Sequence, residues 1–202
     1  GNPEKLQAAI QPNTKLIWIE SPGNPLLSIT DIRKCADIAS AAGILIGIDN
    51  TFATPVLTRP LEHGIDIVMH SATKYLGGHS DALGGALVVR NPELRDQLYF
   101  IQNATGNCMS PLDSFLISRG MKTLDLRVRA QSESAQAIAE FLDGDPRVSR
   151  VLYPGLPSFK GHQLATQQMQ GGFGAMLSFE VAGNFERAKR VTASTKLFQL
   201  AV

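Results

Sequence analysis

The sequence predicts an α/β protein with a mainly parallel sheet flanked by helices, followed by part of a smaller C-terminal α/β domain. Three observations predict it. Short, continuously apolar runs recur, as strands buried on both faces require. A helical segment with period-3.6 spacing lies between the first two. Glycine and proline mark the junctions, where neither element can continue.

The first run is Lys15 to Ile19, holding Leu16, Ile17, Trp18 and Ile19. Ser21-Pro22-Gly23-Asn24-Pro25 then breaks the backbone. Thr30 reads as a helix N-cap, with Ile32, Cys35, Ala36 and Ala39 at i, i+3, i+4 and i+7, and Gly43 as the stop. Ile44-Leu45-Ile46-Gly47-Ile48 is the next strand and ends at Asp49. Ile65 to Met69 is another, ending at His70-Ser71, and Gly85 to Val89 is one more. Beyond Asn91-Pro92 the spacing predicts helices over about 92–103 and 111–142. Strands over 148–153, 175–181 and 196–201 then alternate with helices over 161–170 and 184–192. The domain boundary is placed near residue 125, giving 1–125 and 126–202.

Composition narrows the function classes. The 202 residues are 44% hydrophobic and 18% charged, enough for a packed core. A net charge of +1 with no long basic block argues against a nucleic-acid binder. No apolar run reaches 18 residues, so no transmembrane helix is expected. Cys35 and Cys108 are far apart and form no C-x-x-C pair. Low cysteine use and a polar N-terminus without a signal-peptide pattern suggest a cytoplasmic protein. His70, His79 and Asp81 match no standard metal spacing, so no metal is expected. No G-x-S-x-G elbow supports a hydrolase. Gly77-Gly78 and Gly84-Gly85 form neither a P-loop nor a dinucleotide fingerprint, and read equally as close-approach glycines or ordinary turns. The basic group Arg119, Lys122, Arg127 and Arg129 reads first as a solvated helix face, with an intersubunit or phosphate-adjacent role as the alternative.

In open parallel sheets, ligands gather at the carboxyl ends of the strands. Asp49 and the run Ser71-Ala72-Thr73-Lys74 both lie at such ends. Pyridoxal 5′-phosphate (PLP) chemistry asks for that set: a lysine to form an imine, a carboxylate to keep the pyridine nitrogen protonated, and hydroxyl or N–H donors for the phosphate.

The wording around these residues carries more than their types. Asp49-Asn50-Thr51-Phe52 and His70-Ser71-Ala72-Thr73-Lys74-Tyr75-Leu76-Gly77-Gly78-His79-Ser80-Asp81 closely resemble the signature of the Cys/Met-metabolism family of PLP enzymes. Glu20-Ser21-Pro22-Gly23-Asn24-Pro25, Ser118 to Leu124 and Val151 to Leu156 add to the resemblance, which runs from about Asn13 to Val202. It implies the PLP-dependent transferase-like fold (fold type I). It implies Lys74 as the Schiff-base lysine and proton shuttle, Asp49 on the pyridinium nitrogen, and Ser71 and Thr73 on the phosphate. Thr51 would lie against the ring or support Asp49, and Asn24 would stand near the cofactor hydroxyl and substrate carboxylate. It further implies making or breaking a C–S bond of a small sulfur amino acid, with cystathionine synthesis or cleavage favoured, in a homo-oligomer, usually a tetramer. In relatives, residues from both ends of a longer chain complete the site, including the arginine that binds the substrate carboxylate. This sequence is therefore expected to be a central piece, poorly active alone. The alternative is a catalytically inactive scaffold of the same fold, against which the retained Asp49 and Lys74 argue.

Overall fold

The computed structural model describes residues 2–198. Helix α1 (Pro3–Ala9) precedes strand β1 (Leu16–Glu20), helix α2 (Ile32–Ala41) and strand β2 (Leu45–Asp49). A short helix α3 (Thr54–Leu57) and a 3₁₀ turn (Pro60–His63) lead to β3 (Ile67–Ser71). A wide helical turn, Ala72–Leu76, follows, and then β4 (Gly85–Val89). The remainder is α4 (Pro92–Thr105), α5 (Pro111–Met121), α6 (Leu124–Asp143), β5 (Val148–Leu152), α7 (His162–Gln168), β6 (Ser178–Val181) and α8 (Phe185–Ser194).

The main sheet has the order β1-β2-β3-β4, with β1, β2 and β3 parallel and β4 antiparallel to β3. Strands β5 and β6 form a separate antiparallel pair. The two faces of the main sheet differ. Ile17, Ile46, Ile48 and Val68 are buried with Ile32, Cys35, Ala36 and Ala39 of α2. Register places Leu16, Trp18, Leu45, Gly47, Asp49, Met69, Ser71 and Leu87 on the other face. There Leu16, Trp18, Leu45 and Leu87 are 47%, 47%, 42% and 52% exposed, so this face is half open. A cleft of about 960 Å³ runs between β4 and helices α4 and α5, lined in part by Met69, Leu87, Tyr99 and Met109.

A second core joins the two halves of the chain. Ala72, Leu76 and Ile117 pack in one cluster with Leu124, Val128, Ala165 and Met169. A third gathers Ala135 and Ala139 of α6 with Val151, Tyr153 and Leu156.

Four expectations need correction. The N-cap of α2 is Asp31, whose carboxylate accepts from Lys34 N at 2.9 Å. Thr30 instead donates its hydroxyl to Glu20 O at 3.1 Å, and so belongs to the preceding loop. The helix expected over 111–142 is two helices, because Thr123 turns its N–H and its hydroxyl back onto Gly120 O, both at 3.2 Å. A threonine bonding back to the main chain competes with the helix ladder. The strand expected over 175–181 is shorter, Ser178–Val181. The strand expected over 196–201 lies partly outside the described residues, and Lys196–Phe198 form a bend.

Candidate active site

The site is built at the carboxyl edge of the main sheet. Glu20 and Asp49 are register partners at the ends of β1 and β2, and Asp49 is partnered by Met69 of β3. Ser71 lies two residues further along β3, so Asp49 and Ser71 project from the same, open face. Parallel pairing thus delivers a carboxylate and a hydroxyl to one crevice.

Thr51 fastens these ends together. Its N–H donates to Asp49 Oδ1 at 2.9 Å, and its buried Oγ1 accepts from Ser71 N at 2.8 Å. One residue therefore fixes the carboxylate rotamer and ties the end of β2 to the end of β3. Asp49 forms no ion pair among the described residues, which leaves its charge available.

Lys74 sits three residues beyond Ser71 in the turn 72–76. Its φ of −88° and ψ of −113° are not helical, so the turn is kinked at this residue. The turn is closed by Gly77 N donating to Ala72 O (2.8 Å) and Gly78 N donating to Lys74 O (2.7 Å). Lys74 itself is exposed and makes no ion pair among the described residues. Thr73 is more committed. Its Oγ1 accepts from Gly84 N at 3.0 Å and lies 3.3 Å from Gly84 O, so its hydroxyl pins the loop before β4. Asn24 lies exposed in the loop after β1, its N–H donating to Glu20 Oε1 at 3.3 Å.

The structure thus brings Asp49, Thr51, Ser71, Thr73 and Lys74 to adjoining positions on β2, β3 and the turn. Asn24 approaches from the neighbouring β1 loop. His70 points to the opposite face and is buried. Its Nδ1 has no hydrogen-bond partner among the described residues, and burial holds its pKa below the ordinary value while the Asp49 charge pulls the other way. No group of three metal-ligating side chains occurs among the described residues.

Two contributors escape sequence reasoning. Gln168 of α7 is buried beside the β1 loop: its amide donates to Thr30 O (3.0 Å) and Ser21 Oγ (3.4 Å) and accepts from Ile32 N (3.4 Å). Its place with Ala165 and Met169 on the buried stripe of α7 is the one signal that could have found it. Arg127, read as part of a solvated basic face, instead reaches the turn that carries Lys74.

The donor set fits PLP. A carboxylate braced by Thr51, a hydroxyl on the same sheet face and, in a kinked turn, an amine with no ion-pair partner among the described residues are what that cofactor needs from a protein. Fold and site define an α/β protein with its candidate crevice at strand carboxyl ends.

The comparisons narrow this to one family. The profile of the family described as "Cys/Met metabolism PLP-dependent enzyme" matches residues 1–202, and the chain belongs to that family. The chain is 50% identical over 198 residues to a cystathionine gamma-lyase of Bacillus subtilis (strain 168), covering 98% of this chain and 52% of the relative. It is 50% identical over 194 residues to a cystathionine gamma-synthase of Mycobacterium tuberculosis (strain ATCC 25618 / H37Rv), covering 96% and 50%. The solved structure of metB from Corynebacterium glutamicum superposes with a TM-score of 0.96 at 47% identity, covering 98% of this chain and 51% of that one. The chain spans about half the length of the curated relatives it matches.

Proposed function

We propose that this chain is the site-bearing part of a PLP-dependent enzyme that makes or breaks a C–S bond in a small sulfur amino acid by elimination or replacement, with cystathionine synthesis or cleavage as the favoured reaction. The observation that carries the proposal is the shared open face of Asp49 and Ser71, with an unpaired Lys74 three residues beyond. When bound, the cofactor supplies an electron sink for a carbanion next to the amino group.

The chain's residues have distinct tasks. Asp49, oriented by Thr51 N–H, holds a proton on the ring nitrogen by opposing charge. Lys74 Nζ would hold the cofactor, and its free amine would take the substrate's α-proton. Ser71 Oγ would donate to the phosphate. Thr73 contributes there by fixing the 84–85 backbone beside β3, and its own hydroxyl joins the phosphate only by turning from Gly84 O. Asn24, carried by the β1 loop, would stand near the cofactor hydroxyl and the substrate carboxylate. Residues 1–125 then belong to the larger, cofactor-binding domain and 126–202 to the smaller one. The core shared across that boundary makes the second region a brace for the first. We further propose a cytoplasmic homotetramer. No described helix is long and apolar enough to cross a membrane.

Borohydride reduction of the full-length protein followed by peptide mapping tests the assignment. The cofactor is expected on the peptide containing Lys74. Recovery of label on another lysine, or on none, would overturn it.

A further inference from the structure

Arg127 stands in the first turn of α6, half-buried, with a guanidinium that has no carboxylate partner among the described residues. A cation there is poorly placed for the helix, because the N-terminal end carries the positive end of the macrodipole. Asp125 of the same turn pairs with Arg129 instead. The stability of α6 therefore does not explain Arg127.

Its contacts do. Nη1 donates to Tyr75 O at 3.0 Å, Nη2 to Gly120 O at 2.8 Å, and Nε to Thr123 Oγ1 at 3.0 Å. The three oxygens belong to the turn after β3, the end of α5 and the link to α6. The guanidinium also lies against the backbone of Gly78. A Cβ built there would fall 2.1 Å from Nη1, and Gly78 has φ of +78°. From the other side, a Cβ at Gly120 would fall 2.0 Å from Gly77 O. Residues 76–78 are thus gripped between Arg127 and the Gly120 backbone. Gly78 in turn donates to Lys74 O, and Tyr75 is the residue that follows the kink.

We infer that Arg127 is a positioning residue for Lys74: it clamps the backbone on the C-terminal side of the kink and so sets where the amine points. The inference rests on the assignment of Lys74 as the cofactor lysine. A planar fork can serve three oxygens on three segments at once. A lysine ammonium is a point charge and an amide has too few donors, so neither substitutes.

The test uses the full-length protein and its Arg127→Ala and Arg127→Lys variants. Amide exchange in the cofactor-free protein is read at Gly77 and Gly78, whose N–H groups close the turn, and at Ile46 and Ile48 of β2. In Arg127→Ala, exchange at Gly77 and Gly78 should rise at least tenfold, with β2 unchanged. In the loaded protein, the pH midpoint of the visible band of Lys74-bound cofactor should shift. Added guanidinium should restore both readouts, and Arg127→Lys should restore neither. Unchanged exchange at Gly77 and Gly78, equal loss of protection in β2, or wild-type behaviour of Arg127→Lys each overturns the clamp. Absence of borohydride-trapped cofactor on Lys74 in the unsubstituted protein overturns the lysine assignment instead, so the two failures are read on different samples.

Discussion

The loop after β1 and the turn after β3 lie at the same edge of the sheet, yet they are held in opposite ways. The β1 loop, residues 21–30, is fastened by a neutral amide: Gln168 spans Ser21, Thr30 and Ile32, and Ser178 adds a bond to Pro25 O at 2.7 Å. The β3 turn is fastened by a charged guanidinium and by a backbone contact with Gly120. The amide is buried and its groups answer one another. The cation is half-exposed and, among the described residues, meets neutral oxygens. The difference teaches that both anchors come from the far side of the proposed boundary, or close to it, and that the region bearing the candidate site is shaped by the region beyond it.

The strongest way to break this comparison is to remove the backbone contact. Gly120→Ala places a methyl carbon 2.0 Å from Gly77 O and 3.0 Å from Leu76 O, both backbone atoms that cannot step aside. Alanine favours the helix by about 1 kcal/mol. Overpacking against rigid backbone costs about 3 kcal/mol, so the clash wins. A urea midpoint lowered accordingly is the expected outcome. An unchanged or raised midpoint would show that α5 does not press on the lysine turn.

Gln168→Leu attacks the other anchor. It leaves Ile32 N–H, Thr30 C=O and the Ser21 hydroxyl short of a partner in a buried place. Groups stranded in this way cost about 2 kcal/mol in sum, since removing one partner exposes the desolvation penalty of the other. Exchange should accelerate along residues 21–30 and leave Gly77 and Gly78 unaffected. If both segments loosen together, the two anchors act as one unit and the contrast fails.

What was legible in the sequence follows the same division. The strands were readable because their runs are apolar on both faces, although one face is half open, and the candidate site was placed by Asp49 and Ser71 sitting where those runs stop. The ends of elements were not readable where local side chains rewrote them. Thr123 interrupts a helix whose apolar periodicity continues on both sides, and Asp31 caps where Thr30 was equally eligible by type. The anchors were hidden for another reason. Arg127 and Gln168 look like solvated helix residues until the turn 52 residues earlier and the loop 136 to 147 residues earlier are folded beneath them. Sequence patterns report on a residue's own element, and these two serve other elements.

The smallest expected effect concerns His70, which separates the open face from the buried one. It is 5% exposed and its Nδ1 lacks a partner, so burial keeps its pKa below the ordinary value of 6.5. The fold therefore holds a neutral imidazole, and the unfolded chain binds the proton more readily. The contribution is complete above about pH 6.5 and is lost as pH falls through the lower, folded-state pKa. Replacing the ring by a group that cannot titrate should flatten this arm: in His70→Gln, stability between pH 7 and 5 should fall less steeply, by about 1.4 kcal/mol for each unit by which the histidine is depressed. Equal slopes in denaturant titrations of the two proteins would remove His70 from the argument. The coupling also runs towards the site. The same Asp49 charge that favours protonation of His70 is the charge proposed to hold the ring-nitrogen proton. An imidazolium behind the sheet would oppose it, so burial that keeps His70 neutral adds no opposing charge behind the open face.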